Sequence, residues 1–148
     1  MASPQLSPEQ TAQVSGLVAQ FIASQRLGFL PQAGPLTAAQ RAAMNGFFTP
    51  QLLDAARLLV LAGSLIENPP FYPVLVGMGL SNLPDFSAMA AITYSDIVVS
   101  RVSVTTQLLF HDLVHVAQYR QLGIPRFAEL YVRGLPPKVV GHPALVAN

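Results

Sequence analysis

The stretch Gln107-Leu108-Leu109-Phe110-His111-Asp112-Leu113-Val114-His115-Val116-Ala117-Gln118 decides how this chain is read. Thr105 or Thr106 caps it and Gly123 ends it, so the spacing predicts one helix through Leu122. On that helix His111 and His115 are four apart, on one face and about 6 Å from each other, so both imidazoles reach a single cation. Leu108, Leu109, Phe110, Leu113, Val114 and Val116 surround them, and the helix reads as buried. Two imidazoles pointing into an apolar interior are costly without a partner. A zinc ion, which takes neutral imidazole at about 2.0–2.1 Å in a tetrahedral shell, answers both facts.

H-E-x-x-H is the zinc metallopeptidase signature, with the glutamate acting as general base on a metal-activated water. Asp112 occupies that position here. It carries the right charge but is one methylene shorter, so its carboxyl is expected to fall about 1–1.5 Å short. Misplacement of that order costs ~10²-fold. Asp112 is therefore the expected catalytic residue, as a weakened general base or as an acid that orients the water. For the third ligand, the helix starting at Pro125 is expected to form an αα-hairpin with the histidine helix. His115 lies eight residues before Gly123 and Glu129 six after it, levels that nearly coincide at about 1.5 Å per residue. Glu129 is the expected third ligand, with His142 or water as the alternatives.

Working outward, Ser7-Pro8-Glu9-Gln10 reads as a capped helix start, with an apolar stripe at Val14, Leu17, Val18, Phe21 and Ile22 running to about Gln25. Leu27 to Pro35 is turn-rich. Thr37 with Gln40 opens a short helix that ends near Asn45-Gly46. Thr49-Pro50 opens another, with Leu52, Leu53, Ala56, Leu59 and Val60 on one face. Leu58 to Ile66 reads equally as the end of that helix or as a buried strand. The prolines of Asn68-Pro69-Pro70-Phe71-Tyr72-Pro73 argue against regular structure, and residues 74 to 88 read as loop with one short turn. Ala91 to Val104 is the strongest strand region, rich in β-branched residues. A further helix runs from Pro125 to Gly134, and Lys138 to Asn148 reads as a tail. The expectation is one α+β domain, mostly helical with a small sheet: a helical part over 1–66, a core over 68–134 and a tail over 138–148.

The chain has 148 residues and no cysteine, which excludes disulfides, iron–sulfur clusters and thiolate zinc sites. Apolar residues make up 51% and charged residues 10%, which excludes a disordered chain and favours an apolar face that meets a protein partner. A net charge of +1 without a basic cluster argues against nucleic acid. The longest apolar run, Leu58 to Ile66, is nine residues against the about twenty that a spanning helix needs. The N-terminus lacks the basic region of a secretory signal. A cytoplasmic protein without a transmembrane segment is expected.

The segments Asn68-Pro69-Pro70-Phe71-Tyr72-Pro73, Leu83-Pro84-Asp85-Phe86 and Ala91-Ile92-Thr93-Tyr94, followed by Leu109 to Gly123, resemble a family of small bacterial zinc-metallopeptidase-like (zincin-like) domains with a motif of the form HELVHVxQYRxLG. The resemblance covers residues 68–134 and implies a zincin-like fold, zinc held by His111 and His115, and hydrolysis of a peptide or protein substrate. Asp112 stands where the family carries glutamate, and the family's later Pro-Leu-Glu-type segment has no counterpart here. The competing expectation is a non-catalytic zinc-binding or apolar interaction module.

Overall fold

A computed structural model describes residues 6–134 of the chain. His142 and the tail expected over 138–148 lie outside the described residues. Six helices and a four-stranded mixed sheet make an α+β fold.

Helix α1 spans Pro8–Phe29. Gln10 N donates to Ser7 Oγ at 3.0 Å and Ser7 N donates to Gln10 Oε1 at 2.9 Å, which closes the expected capping box. The helix runs past Gln25 because tertiary partners hold its last turn. Arg26 makes a two-pronged pair with Asp96 at 2.7 and 3.1 Å, and the Phe29 ring stacks on Tyr94. Strand β1 is Gly34–Pro35. Helix α2, Ala38–Met44, starts on the Thr37–Gln40 capping box, and α3, Pro50–Ala55, starts on Thr49.

Arg57–Val60 is strand β2, so Leu59 and Val60 do not continue the α3 face. Leu58 pairs with Val98 in a parallel ladder with β4 (Ile97–Ser100). Backbone hydrogen bonds from a strand some forty residues away settle what the short apolar run left open. Helix α4, Tyr72–Gly77, corrects the loop reading of this segment. Pro73 sits in its first turn, where its missing N–H would have had no helical acceptor. A 3₁₀ turn over Phe86–Ala88 follows. Strand β3, Ala91–Tyr94, pairs antiparallel with β4 across a tight turn in which Ser95 takes φ 62°. Ala91 to Val104 is thus a hairpin that ends at Ser100. There the Ser100 hydroxyl donates to the Val102 carbonyl at 2.6 Å.

The sheet order is β1-β2-β4-β3, and every residue of β4 is buried. Its alternation divides the core. Ile97 and Val99 pack with α1 and with the faces of α4 and α6 (Ile124–Arg133). Val98 packs with Met44, Leu52, Leu53, Leu109, Leu113 and Val116 on the other side. Helix α5, Thr106–Leu122, is capped by the Thr105 hydroxyl and ends on Gly123 at φ 82°, both as the sequence indicates. It packs along β3, and α6 turns back across it toward α1. No helix among the described residues is long and apolar enough to cross a membrane.

Candidate functional site

The stripe Leu108, His111, Asp112, His115 and Tyr119 forms one wall of a cavity of about 560 Å³. Spacings of three and four keep these side chains on one side of α5. The remaining walls come from α1, α4, the 3₁₀ turn, β3, α6 and the loops between them, and they carry the rings of Phe21, Phe71, Phe86, Tyr94, Phe127 and Tyr131 among aliphatic residues.

The His111 and His115 rings lie 5.5 Å apart, edge to face. The structure therefore brings the expected pair together. It corrects their depth, however. His111 is 56% exposed, whereas the Asp112 carboxyl beside it is 6% exposed. The reason is azimuthal. Leu109 and Leu113 define the face of α5 that packs on Val98, and His111 is two residues from each, about 200° round the helix. His115 is half-buried. Its Nδ1 is 2.9 Å from Gln118 Oε1, and its ring meets Phe127 edge-on at 6.3 Å. A hydrogen bond of this kind fixes the orientation of the imidazole ring.

Asp112 is the most unusual group in the wall. Its Oδ2 is buried with no hydrogen-bond partner among the described residues, and Oδ1 stands 3.9 Å from His111 Nδ1, beyond hydrogen-bond reach. Desolvation disfavours the charged form and pushes the carboxyl from its ordinary value of 3.8 up to about 7. The backbone around it is pinned to the sheet. Thr93 Oγ1 donates to the Asp112 carbonyl at 3.3 Å, and the Tyr119 hydroxyl donates to the Thr93 carbonyl at 3.4 Å. Tyr119 in turn stacks on Phe127 at 3.8 Å, which ties α5 to α6.

Glu129 is elsewhere. The αα-hairpin forms, but level alone does not set direction. Phe127 and Tyr131 are the α6 residues that reach the cavity, and Glu129 is about 200° round the helix from Phe127. Its carboxylate is held by Arg126 Nη1 at 2.8 Å and Arg133 Nη2 at 2.8 Å, and it lines a separate groove with Pro8 and Ser15 of α1. Hydrogen bonds from the Arg126 and Arg133 guanidinium groups lower its pKa. Glu129 does not join the imidazole pair. No group of three His, Cys, Asp or Glu residues suited to a metal occurs among the described residues.

The aromatic lining is the part of the site that the sequence reading did not identify as such. Two of the quoted segments build its rim. Asn68 Nδ2 donates to Asp85 Oδ1 at 3.1 Å, Phe86 N donates to Asn68 Oδ1 at 2.7 Å, and the Tyr72 hydroxyl donates to the Pro84 carbonyl at 2.6 Å. These bonds clamp Asn68–Tyr72 against Pro84–Phe86, and so place Phe71 and Phe86 around Phe21. The available signal was the aromatic density of the two proline-bearing segments and the four-residue spacing of Phe127 and Tyr131. No family model matches the chain, and no curated protein or solved structure matches it.

Proposed function

We propose that this chain is a zincin-like metal-binding domain and a zinc-dependent peptidase with a weakened general base. The observation that carries the reading is the pair of imidazoles 5.5 Å apart on α5, with the buried Asp112 carboxyl between them in sequence and in the wall of the same cavity. The donor set fits zinc in part. His111 and His115 supply two neutral nitrogen ligands, and the Gln118 contact fixes the orientation of the His115 ring. The remaining positions fall to water or to His142.

When bound, zinc supplies Lewis-acid polarisation of the scissile carbonyl. The chain's own residues do the rest. The Asp112 carboxyl accepts the proton of the attacking water and returns it to the leaving amine. A carboxyl held near neutrality suits both directions. The aromatic walls hold apolar substrate groups and exclude bulk water. A cytoplasmic location and a peptide or protein substrate belong to the same reading.

A second reading, a non-catalytic zinc-binding or apolar interaction module, is favoured by one observation: the carboxylate best placed by level, Glu129, is committed to two arginines instead. Metal analysis of the purified protein and cleavage of casein, an unfolded protein substrate, separate the two. Stoichiometric zinc with cleavage supports the peptidase, zinc without cleavage supports the module, and no zinc removes both metal readings.

A further inference from the structure

We infer that the aromatic cavity over α5 is a binding site for an uncharged carboxamide with an aromatic or branched apolar body. Two independent features point to it. The first is the cavity. At about 560 Å³ it is of the size that holds small ligands, and its lining is mostly apolar, aliphatic and aromatic side chains together. The second is Asp112, which lines that cavity, is 4% exposed, and has a buried Oδ2 with no hydrogen-bond partner among the described residues. A buried polar atom of this kind calls for a partner.

The chemistry of the partner follows from the lining. No lysine, arginine or glutamate lines the cavity, so a ligand carboxylate or phosphate would be desolvated beside Asp112 without a strong cation to pair with. An ammonium group brings a full charge, and taking it out of water into a largely apolar cavity carries a desolvation cost that pairing with a single carboxylate does not have to repay. A carboxamide offers one N–H face and one carbonyl. It therefore pairs with a carboxyl in either protonation state, donating to a carboxylate or exchanging two hydrogen bonds with the acid. Its apolar body lies against Phe21, Phe86 and Tyr94 of the opposite walls. The site does not require the imidazole pair to hold a metal.

The test is calorimetric titration of the full chain, with no metal added, against three probes of one shape: 4-phenylbutanamide, 4-phenylbutylammonium and 4-phenylbutanoate. The amide is expected to bind with a Kd on the order of 0.1–1 mM, as befits a fragment, and about tenfold or more tighter than either charged probe. Asp112→Leu should weaken the amide about tenfold, the loss of one buried hydrogen bond. Asp112→Asn, which keeps a donor and an acceptor at the same place, should stay within about threefold of the parent. Phe86→Ala, at the rim and away from the carboxyl, should weaken the amide also, and it keeps the test decisive if Asp112→Leu fails to fold. Tightest binding by the ammonium probe would overturn the proposal in favour of a cation site. Equal binding by all three probes, or none by the amide at millimolar concentration, would overturn it outright.

Discussion

Two carboxyls on adjacent helices, Asp112 on α5 and Glu129 on α6, show how differently one functional group is used on the two sides of this fold. Glu129 lines a groove against α1 with a guanidinium on either side, and those contacts lower its pKa. Asp112 lies in an aromatic wall with no partner for Oδ2, and its pKa is raised to about 7. A paired, half-buried carboxylate is accounted for by the two arginines on its own helix. An unpaired, buried carboxyl beside two imidazoles works against the stability of its own fold, and such groups cluster at functional sites. The contrast puts the unpaired carboxyl in the wall of the cavity and the paired one in the groove between α1 and α6.

The largest expected effect tests the Asp112 half. A carboxyl whose folded-state pKa lies above its unfolded value binds more protons in the native state between those values, so stability falls as pH rises through that window. For Asp112 the window runs from 3.8 to about 7, and the loss reaches at most about 4 kcal/mol at higher pH. Denaturant unfolding of metal-free protein across this range should show the decline, and Asp112→Asn should flatten it and be the more stable protein at pH 8. Glu129 has the opposite sign. Its lowered pKa contributes stability present above its unfolded value of 4.5 and lost as pH falls through its folded one. A parent curve that rises from pH 5 to 8 would break the comparison.

Next in size is the chemistry. Asp112→Glu restores the methylene that the motif lacks, and casein hydrolysis at equal zinc loading should rise about 10- to 100-fold, with zinc content unchanged. Phe127→Ala removes the ring that stacks on Tyr119 and faces His115. It should destabilise the protein by about 2–3 kcal/mol in denaturant unfolding. The smallest effect belongs to Glu129→Gln. Zinc content should be unchanged, and a measurable drop would restore Glu129 to the metal site.

Local signals were legible where the chain decides matters by itself. The Ser7–Gln10 and Thr37–Gln40 capping boxes and the Gly123 stop are all in place. What was not legible depends on distant partners or on where within an element a residue falls. Leu58 becomes a strand because Val98 is there to receive it. Tyr72–Gly77 becomes a helix although Pro73 argued for a break, because its first turn tolerates the ring. At the site, the i, i+4 spacing located the imidazole pair. Burial was assigned to the wrong neighbour, since the face of α5 set by Leu109 and Leu113 turns His111 outward and takes Asp112 in. Glu129 failed for a related reason. Counting residues across the hairpin fixes height along α6 but not azimuth, and Phe127 and Tyr131 hold the side toward the cavity. The cavity itself is assembled from six elements, and no single segment could announce it.

We propose that His111 and His115 hold one metal ion between them. The direct measurement is zinc content per chain in the purified parent, in His111→Ala and in His115→Ala, each verified as folded by circular dichroism. About one zinc per parent chain, with steep loss in both variants, is the predicted result. A parent without zinc, or either variant that retains it in full, would contradict the account.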